Sequence, residues 1–138
     1  MILSATREIA VLNDLLEGVV TSGHGYRQAA EEGTNADLRT LFERRAAERR
    51  ILAADIRFEL RRLGGTPVGD LGGTVAIRRT WLDHVESMEG RLRRKFEQAL
   101  GGGDLSVPVL VLLARAYVAV RAGHDQIRDL KFSCETMH

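Results

Sequence analysis

Apolar residues recur every three to four positions in four stretches of the 138-residue chain, so each stretch reads as an amphipathic helix. The first, over residues 4–32, places Ile9, Leu12, Leu16, Val19, Gly23, Tyr26 and Ala30 on one stripe, with Ser4 as its N-cap and Gly33 as its stop. The second, over 36–63, begins after a capping Asn35. It carries Leu38, Leu41, Phe42, Leu52, Ile56, Leu60 and Leu63, and it stops at Gly64-Gly65. The third, over 74–100, aligns Ile77, Trp81, Val85, Met88, Leu92, Phe96 and Ala99. The fourth, over 106–131, opens on Ser106-Val107-Pro108, a cap followed by an early proline, and aligns Val109, Leu112, Leu113, Ala116, Val120, Ile127 and Leu130. The tail beyond Lys131 is expected to fray.

No segment alternates in the manner of a strand, so the chain reads as all-α. Pro67 and Pro108 both lie between periodic segments, and glycines cluster at the same breaks. The first and third connections are short, and each joins antiparallel neighbours. The middle one is longer and glycine-rich and can reach an adjacent or a diagonal position. Up-down-up-down is the simplest closure. The expectation is a single domain over residues 1–138, an antiparallel up-down-up-down four-helix bundle. Charge supports pairing of the first two helices. The first has Arg7 and Arg27 against five acids, and the second has eight arginines against five acids. Each exposed pair is worth only about 0–1 kcal/mol, so this selects a neighbour more than it stabilises the fold.

Composition narrows the function classes. Net charge is +1, with 44% hydrophobic and 28% charged residues, as in a globular protein without a dominant field toward nucleic acid or membrane. The arginines of the second helix are interleaved with acids, and a solvated, salt-bridged face is the better reading than a nucleic-acid surface. Cys134 is the single cysteine and reads as an exposed tail thiol. The N-terminal residues lack a basic region before a long apolar run, and no uninterrupted apolar run approaches the roughly 20 residues of a membrane span. A cytoplasmic location is expected. No GxGxxG, P-loop, nucleophile elbow or HExxH occurs.

The candidate chemistry is carboxylate. Counted from the turns at about 1.5 Å per residue, Glu17, Glu48 and Glu89 fall on three helices at similar heights. A di-iron carboxylate site in a four-helix bundle takes Glu from two helices and Glu-x-x-His from the other two. Here the position three after Glu48 is Ile51, and the position three before His124 is Arg121. The candidate metal residues are therefore Glu17, Glu48, Glu89 and His124, a set short of histidines. A lower cluster would combine His124 with Asp55, Asp83 and His84, with Asp14 and Glu17 nearby. The competing reading of His124 is a hydrogen bond to one carboxylate beside the core. Trp81 and Tyr26 read as core or interface anchors. Gly23-His24-Gly25 in mid-helix points to close packing or a kink, with His24 toward solvent, because each interior glycine costs about 1 kcal/mol against alanine.

Several segments also resemble a known group. Leu12-Asn13-Asp14-Leu15-Leu16-Glu17 and Gly25-Tyr26-Arg27-Gln28-Ala29-Ala30-Glu31 are similar to the first helix of a bacterial ferritin-like four-helix-bundle family of unknown function. Leu60-Arg61-Arg62-Leu63-Gly64-Gly65-Thr66-Pro67 resembles the end of its second helix. Arg79-Thr80-Trp81 resembles its Arg-x-Trp element, and Glu86, Glu89, Phe96 and Ala99-Leu100 its acidic segment, with Phe96 where that family usually has tyrosine. Ala122-Gly123-His124-Asp125-Gln126-Ile127-Arg128 resembles its last helix. The stretch between the Trp element and the acidic segment is shorter here. The resemblance spans residues 12–131 and implies a ferritin-like fold.

Two functional classes follow. The preferred one is a non-catalytic bundle without cofactor, acting as a self-associating or partner-binding module and forming a homodimer through an apolar strip. The alternative is a ferritin-like metal protein of di-iron type, with iron as its cofactor and iron-binding or oxidase chemistry. The first requires the glutamates to be paired with Arg45, Arg49 or Arg121. The second requires them to converge inward as an unpaired, hydrogen-bonded cluster.

Overall fold

The computed structural model describes residues 2–32, 35–68 and 81–136, and among them the regular structure is four helices. They are α1 (Ile2–Glu32), α2 (Ala36–Arg62), α3 (Trp81–Gly101) and α4 (Val107–Thr136). The glycines at 69, 72 and 73, Ile77 and the side chains of Trp81, Asp83, His84 and Cys134 lie outside the described residues. α1 begins before Ser4, so Ser4 is a helical residue and not the cap. α4 continues past Lys131 to Thr136.

Local chemistry sets the ends of α2. The Asn35 side chain accepts hydrogen bonds from the Asp37 and Leu38 N–H groups, which the first helical turn leaves without partners. At the other end Gly65 N–H donates to Leu60 C=O and Gly64 N–H to Arg61 C=O. That closure needs a left-handed residue, and Gly64 supplies it at φ 83°.

The helices pack in four pairs, α1 with α2, α1 with α3, α3 with α4 and α2 with α4, which leaves α2 and α3 on a diagonal. Contacts give the directions. Asp14 pairs with Lys95 and Ser22 with Glu89, so α1 and α3 run antiparallel. Arg49 meets Ser22, and Gly65 lies against Ile9, so α1 and α2 are antiparallel too. α2 and α3 therefore run the same way, and the order is up-down-down-up. The bundle is all-α and four-helical as expected, but the second hairpin is inverted relative to up-down-up-down. The physical reason is reach. The 18 residues between α2 and the described start of α3 can span about 60 Å when extended, whereas the 21 residues of α3 rise only about 30 Å. The described start of this connection already turns back along α1. Asn13 Nδ2 donates to Thr66 C=O, and Val68 N–H donates to Asn13 Oδ1. One long crossover is the ferritin-like connectivity of a four-helix bundle.

The core has two apolar cells. One contains Leu12, Leu15, Leu16, Val19, Ala53, Ile56, Leu60, Leu92, Phe96, Val109, Leu113, Ala116 and Val120. The other contains Tyr26, Ala29, Ala30, Phe42, Ala46, Val85, Met88 and Ile127. Each large side chain buried this way contributes about 1.5–3 kcal/mol. Between the cells every helix contributes one polar or minimal residue: Ser22, Arg49, Glu89 and Gly123.

Candidate functional site

The layer between the two cells is the chemically distinctive part of the molecule. Arg49 is its centre. It stands on the inward face of α2, between Ala46 and Ala53, where helical periodicity points every third or fourth residue at the core. Its guanidinium is fully buried. Nη2 donates to Glu89 Oε2 on α3 at 2.7 Å, and Nη1 donates to Glu48 Oε1 at 2.7 Å. Nε donates to Ser22 Oγ on α1 at 3.1 Å, and that hydroxyl donates to Glu89 Oε1. The guanidinium carbon also lies 5.6 Å from the centroid of the Tyr26 ring, in cation–π range. Each edge of the planar fork thus faces a different helix, and the Arg49–Glu89 bond crosses the bundle diagonal.

Electrostatics explain why the pair is tolerated. A lone buried charge is too costly to hold, and a buried pair survives only when its remaining atoms are also hydrogen-bonded. Both Glu89 oxygens have donors. Burial acts against the charged form of Arg49, but Glu89, Tyr26 and Glu48 outweigh it and hold its pKa above the ordinary value. Arg49 is therefore a permanent cation. The Tyr26 phenol is pushed far up, first by burial and then by the Glu89 charge, with Arg49 pulling the other way. Its hydroxyl is buried beside Glu89, close enough to interact with that carboxylate but outside good hydrogen-bond geometry.

A second arginine ties the layer to α4. Arg45 Nη1 reaches both oxygens of Glu48, at 3.1 and 3.2 Å, and its Nε donates to Gln126 Oε1 at 2.9 Å. α4 closes the layer with Gly123. A Cβ there would lie 2.5 Å from Arg49 Nη2, 2.9 Å from Glu89 Oε2 and 3.1 Å from Tyr26 OH. The mid-helix glycines of α1 also serve close packing. A Cβ on Gly25 would lie 1.8 Å from Met88 Cε, and one on Gly23 would lie 3.3 Å from Arg49 Cβ.

The four candidate metal residues do not converge. Glu89 is fully buried, and Glu48 is half-buried with its carboxylate between Arg45 and Arg49. Glu17 is exposed. The level of Arg49 on α1 is Ser22, five residues beyond Glu17, so counting from the turn misplaces Glu17 by about 7 Å along the helix. His124 lies near Gly90, with Nδ1 3.3 Å from Asp125 Oδ1 and 3.4 Å from Arg93 Nη1. It is not at the level of Asp55, and Asp55 is exposed, so the lower cluster does not form with that residue. Arg121 is exposed and pairs with Asp125. Among the described residues no group of three or more His, Cys, Asp or Glu side chains is placed to share a metal ion. The donor set does not fit a di-iron centre, because the carboxylate oxygens that would bind metal already accept from guanidinium groups.

Ser22 and Gly123 are the members of this layer that sequence reasoning passes over. Their signal is a small residue at the core-facing position between Val19 and Tyr26, and again between Val120 and Ile127. Arg49 gives a similar signal, a charge at the core-facing position between Ala46 and Ala53.

Connectivity and packing define a ferritin-like four-helix bundle. The chain belongs to the family described as a domain of unknown function (DUF2383), which matches residues 7–101. Its fold is similar to that in a crystal structure of ferritin-like, diiron-carboxylate proteins from Bacillus anthracis str. Ames, with a TM-score of 0.80 and 16% identity. The match covers 92% of this chain and 96% of that one. No curated protein matches.

Proposed function

We propose that this protein is a non-catalytic ferritin-like bundle that acts by association, with a second copy as its first partner. The observation that carries this reading is the outward face of α4. Val107, Val111 and Val118 are 72%, 50% and 69% exposed. Ala114 and Ala122, also exposed, continue the same helical stripe. The opposite face of α4, with Val109, Leu113, Ala116, Val120 and Ile127, is already buried in the bundle. A helix apolar on both faces is normally covered on both. By length and composition Val107–Leu130 would also suit a membrane span. Arg115 and Arg121 beside the stripe, and the buried inner face, favour a protein surface. Ile51 and Phe58, 64% and 69% exposed on α2, add apolar area outside the bundle.

The iron-binding or oxidase alternative has less support, because Arg49 and Arg45 occupy the oxygens of Glu48 and Glu89. Association is tested by sedimentation equilibrium. The expected mass at micromolar concentration is two chains, and Val118→Asp should return it to one with helicity unchanged. A wild-type mass of one chain at all accessible concentrations would overturn the proposal.

A further inference from the structure

We propose that the outward face of α2 is the docking surface for an acidic amphipathic helix of a partner protein. The inference concerns α2 and stands whether or not α4 pairs with a second copy. α2 carries apolar residues on two faces. Its inward face, with Ala53, Ile56 and Leu60, is buried in the bundle. On the outward face Ala47, Ile51, Ala54 and Phe58 follow one another at intervals of four, three and four residues. That is the spacing of a seam that receives a second helix. Ile51, Ala54 and Phe58 are all exposed. The two alanines leave hollows beside the bulky pair, and large apolar side chains of a facing helix would fill them.

Charge says which helix fits. Arg50 and Arg57 flank the seam two turns apart on one side, and Arg44 stands at its end. Among the described residues none of these three has an ion-pair partner, whereas Arg45 and Arg49 hold Glu48 and Arg62 holds Glu59. Glu43 and Asp55 are the exposed acids at the border, so the arginines leave it positive. The complementary surface is a helix with large aliphatic residues on its seam and carboxylates beside Arg50 and Arg57. A second copy does not fit. The next seam positions are Arg44 and Arg61, so pairing in either direction would set arginine on arginine at both ends. A phosphate backbone would satisfy the arginines but leave Ile51 and Phe58 uncovered.

The probe is a pair of synthetic peptides about three heptads long, with leucine at both seam positions of each heptad. One carries glutamate at the flanking positions and the other lysine. Fluorescence anisotropy of each labelled peptide is followed as the full chain is added. The glutamate peptide should bind wild type and the lysine peptide should not, and binding should weaken as salt rises. Phe58→Asp should weaken it at least about tenfold, and so should Arg50→Glu combined with Arg57→Glu. That double variant should accept the lysine peptide instead. Val118→Asp, on α4, should bind the glutamate peptide as wild type does, which separates this surface from the α4 face. Failure of the glutamate peptide to bind wild type would overturn the inference, and that measurement needs no variant. So would equal affinity for both peptides, or a double variant whose preference does not exchange. Tighter binding of a duplex DNA oligonucleotide than of the glutamate peptide would assign the face to nucleic acid. A sedimentation mass that Phe58→Asp, rather than Val118→Asp, returns to one chain would assign it to a second copy. Either result would also overturn the inference.

Discussion

A methyl group at position 123 would sit 2.5 Å from Arg49 Nη2 and 2.9 Å from Glu89 Oε2, closer than real Cβ contacts come. Neither neighbour has freedom to move, because each is fixed by bonds to other helices. Gly123→Ala is therefore not the usual helix-stabilising change. Propensity alone would favour alanine by about 1 kcal/mol, but overpacking a filled core costs about 1–3 kcal/mol, and displacing one member of a buried ion pair costs about 3–5 kcal/mol. Urea denaturation should show a net loss of at least about 1 kcal/mol, with the midpoint shifted and the slope unchanged. A midpoint equal to or above wild type would show that the layer has slack. The same geometry explains why the carboxylate candidates were only partly legible in the sequence. The sequence groups Glu17, Glu48 and Glu89 as carboxylates needing a metal or compensation by Arg45, Arg49 or Arg121; of these the structure brings Glu48 and Glu89 to Arg45 and Arg49. That Glu17 lies outside could not be read, because a small drift in helix pairing, from Tyr26 opposite Phe42 to Ser22 opposite Arg49, moves it out of level.

Helices were the most legible units. The cap at Asn35 and the stop at Gly64-Gly65 are local chemistry, and α2 has those limits in the structure. Direction was not legible, because a crossover long enough to traverse the bundle carries no local mark of whether it does so. Along α4 and between α3 and α4, surface charges add a modest pH dependence. The Asp125 carboxyl is held below its ordinary range, first by its hydrogen bond to His124 and then by the charge of Arg128. The Glu97 carboxyl is lowered by the Tyr117 hydroxyl and by Arg93. For acids whose folded pKa is depressed, the stabilisation is present above the unfolded value and is lost as pH falls through the folded one. Melting temperature should therefore fall on acidification below about pH 4, where free carboxylates begin to protonate. The fall should be shallower in Asp125→Asn with Glu97→Gln. An acid limb identical to wild type would mean that these exposed contacts are fully screened.

On the scale of the whole molecule, the crossover places the two hairpins side by side and leaves α2 and α3 facing each other only through the interior. The Arg49–Glu89 ion pair bridges that diagonal. The two apolar cells above and below consist largely of interchangeable aliphatic contacts, which would tolerate a small slide of one hairpin along the other. The polar layer does not. One turn of displacement, about 5.4 Å, would leave Glu89 without its cation and Arg49 with Glu48 alone.

The opposite charges of that pair reside on different hairpins, so each half of the protein is an acid–base complement that cannot close its own interior. An isolated α1–α2 hairpin keeps Arg49 with Glu48 but without Glu89, and an isolated α3–α4 hairpin carries Glu89 with neither Arg49 nor Ser22. Expressed separately, the halves should be largely unstructured and should regain helicity on mixing. In the matched neutral pair, Arg49→Met on one half and Glu89→Met on the other, each half should hold more structure alone. Recombination should then lose its fixed alignment, seen as broadened methyl resonances in the mixed sample. Sharp resonances there would mean that the aliphatic cells alone set the alignment. On this view the buried pair is a recognition code between two halves of one chain, and the fold is a heterodimer of hairpins joined by a tether.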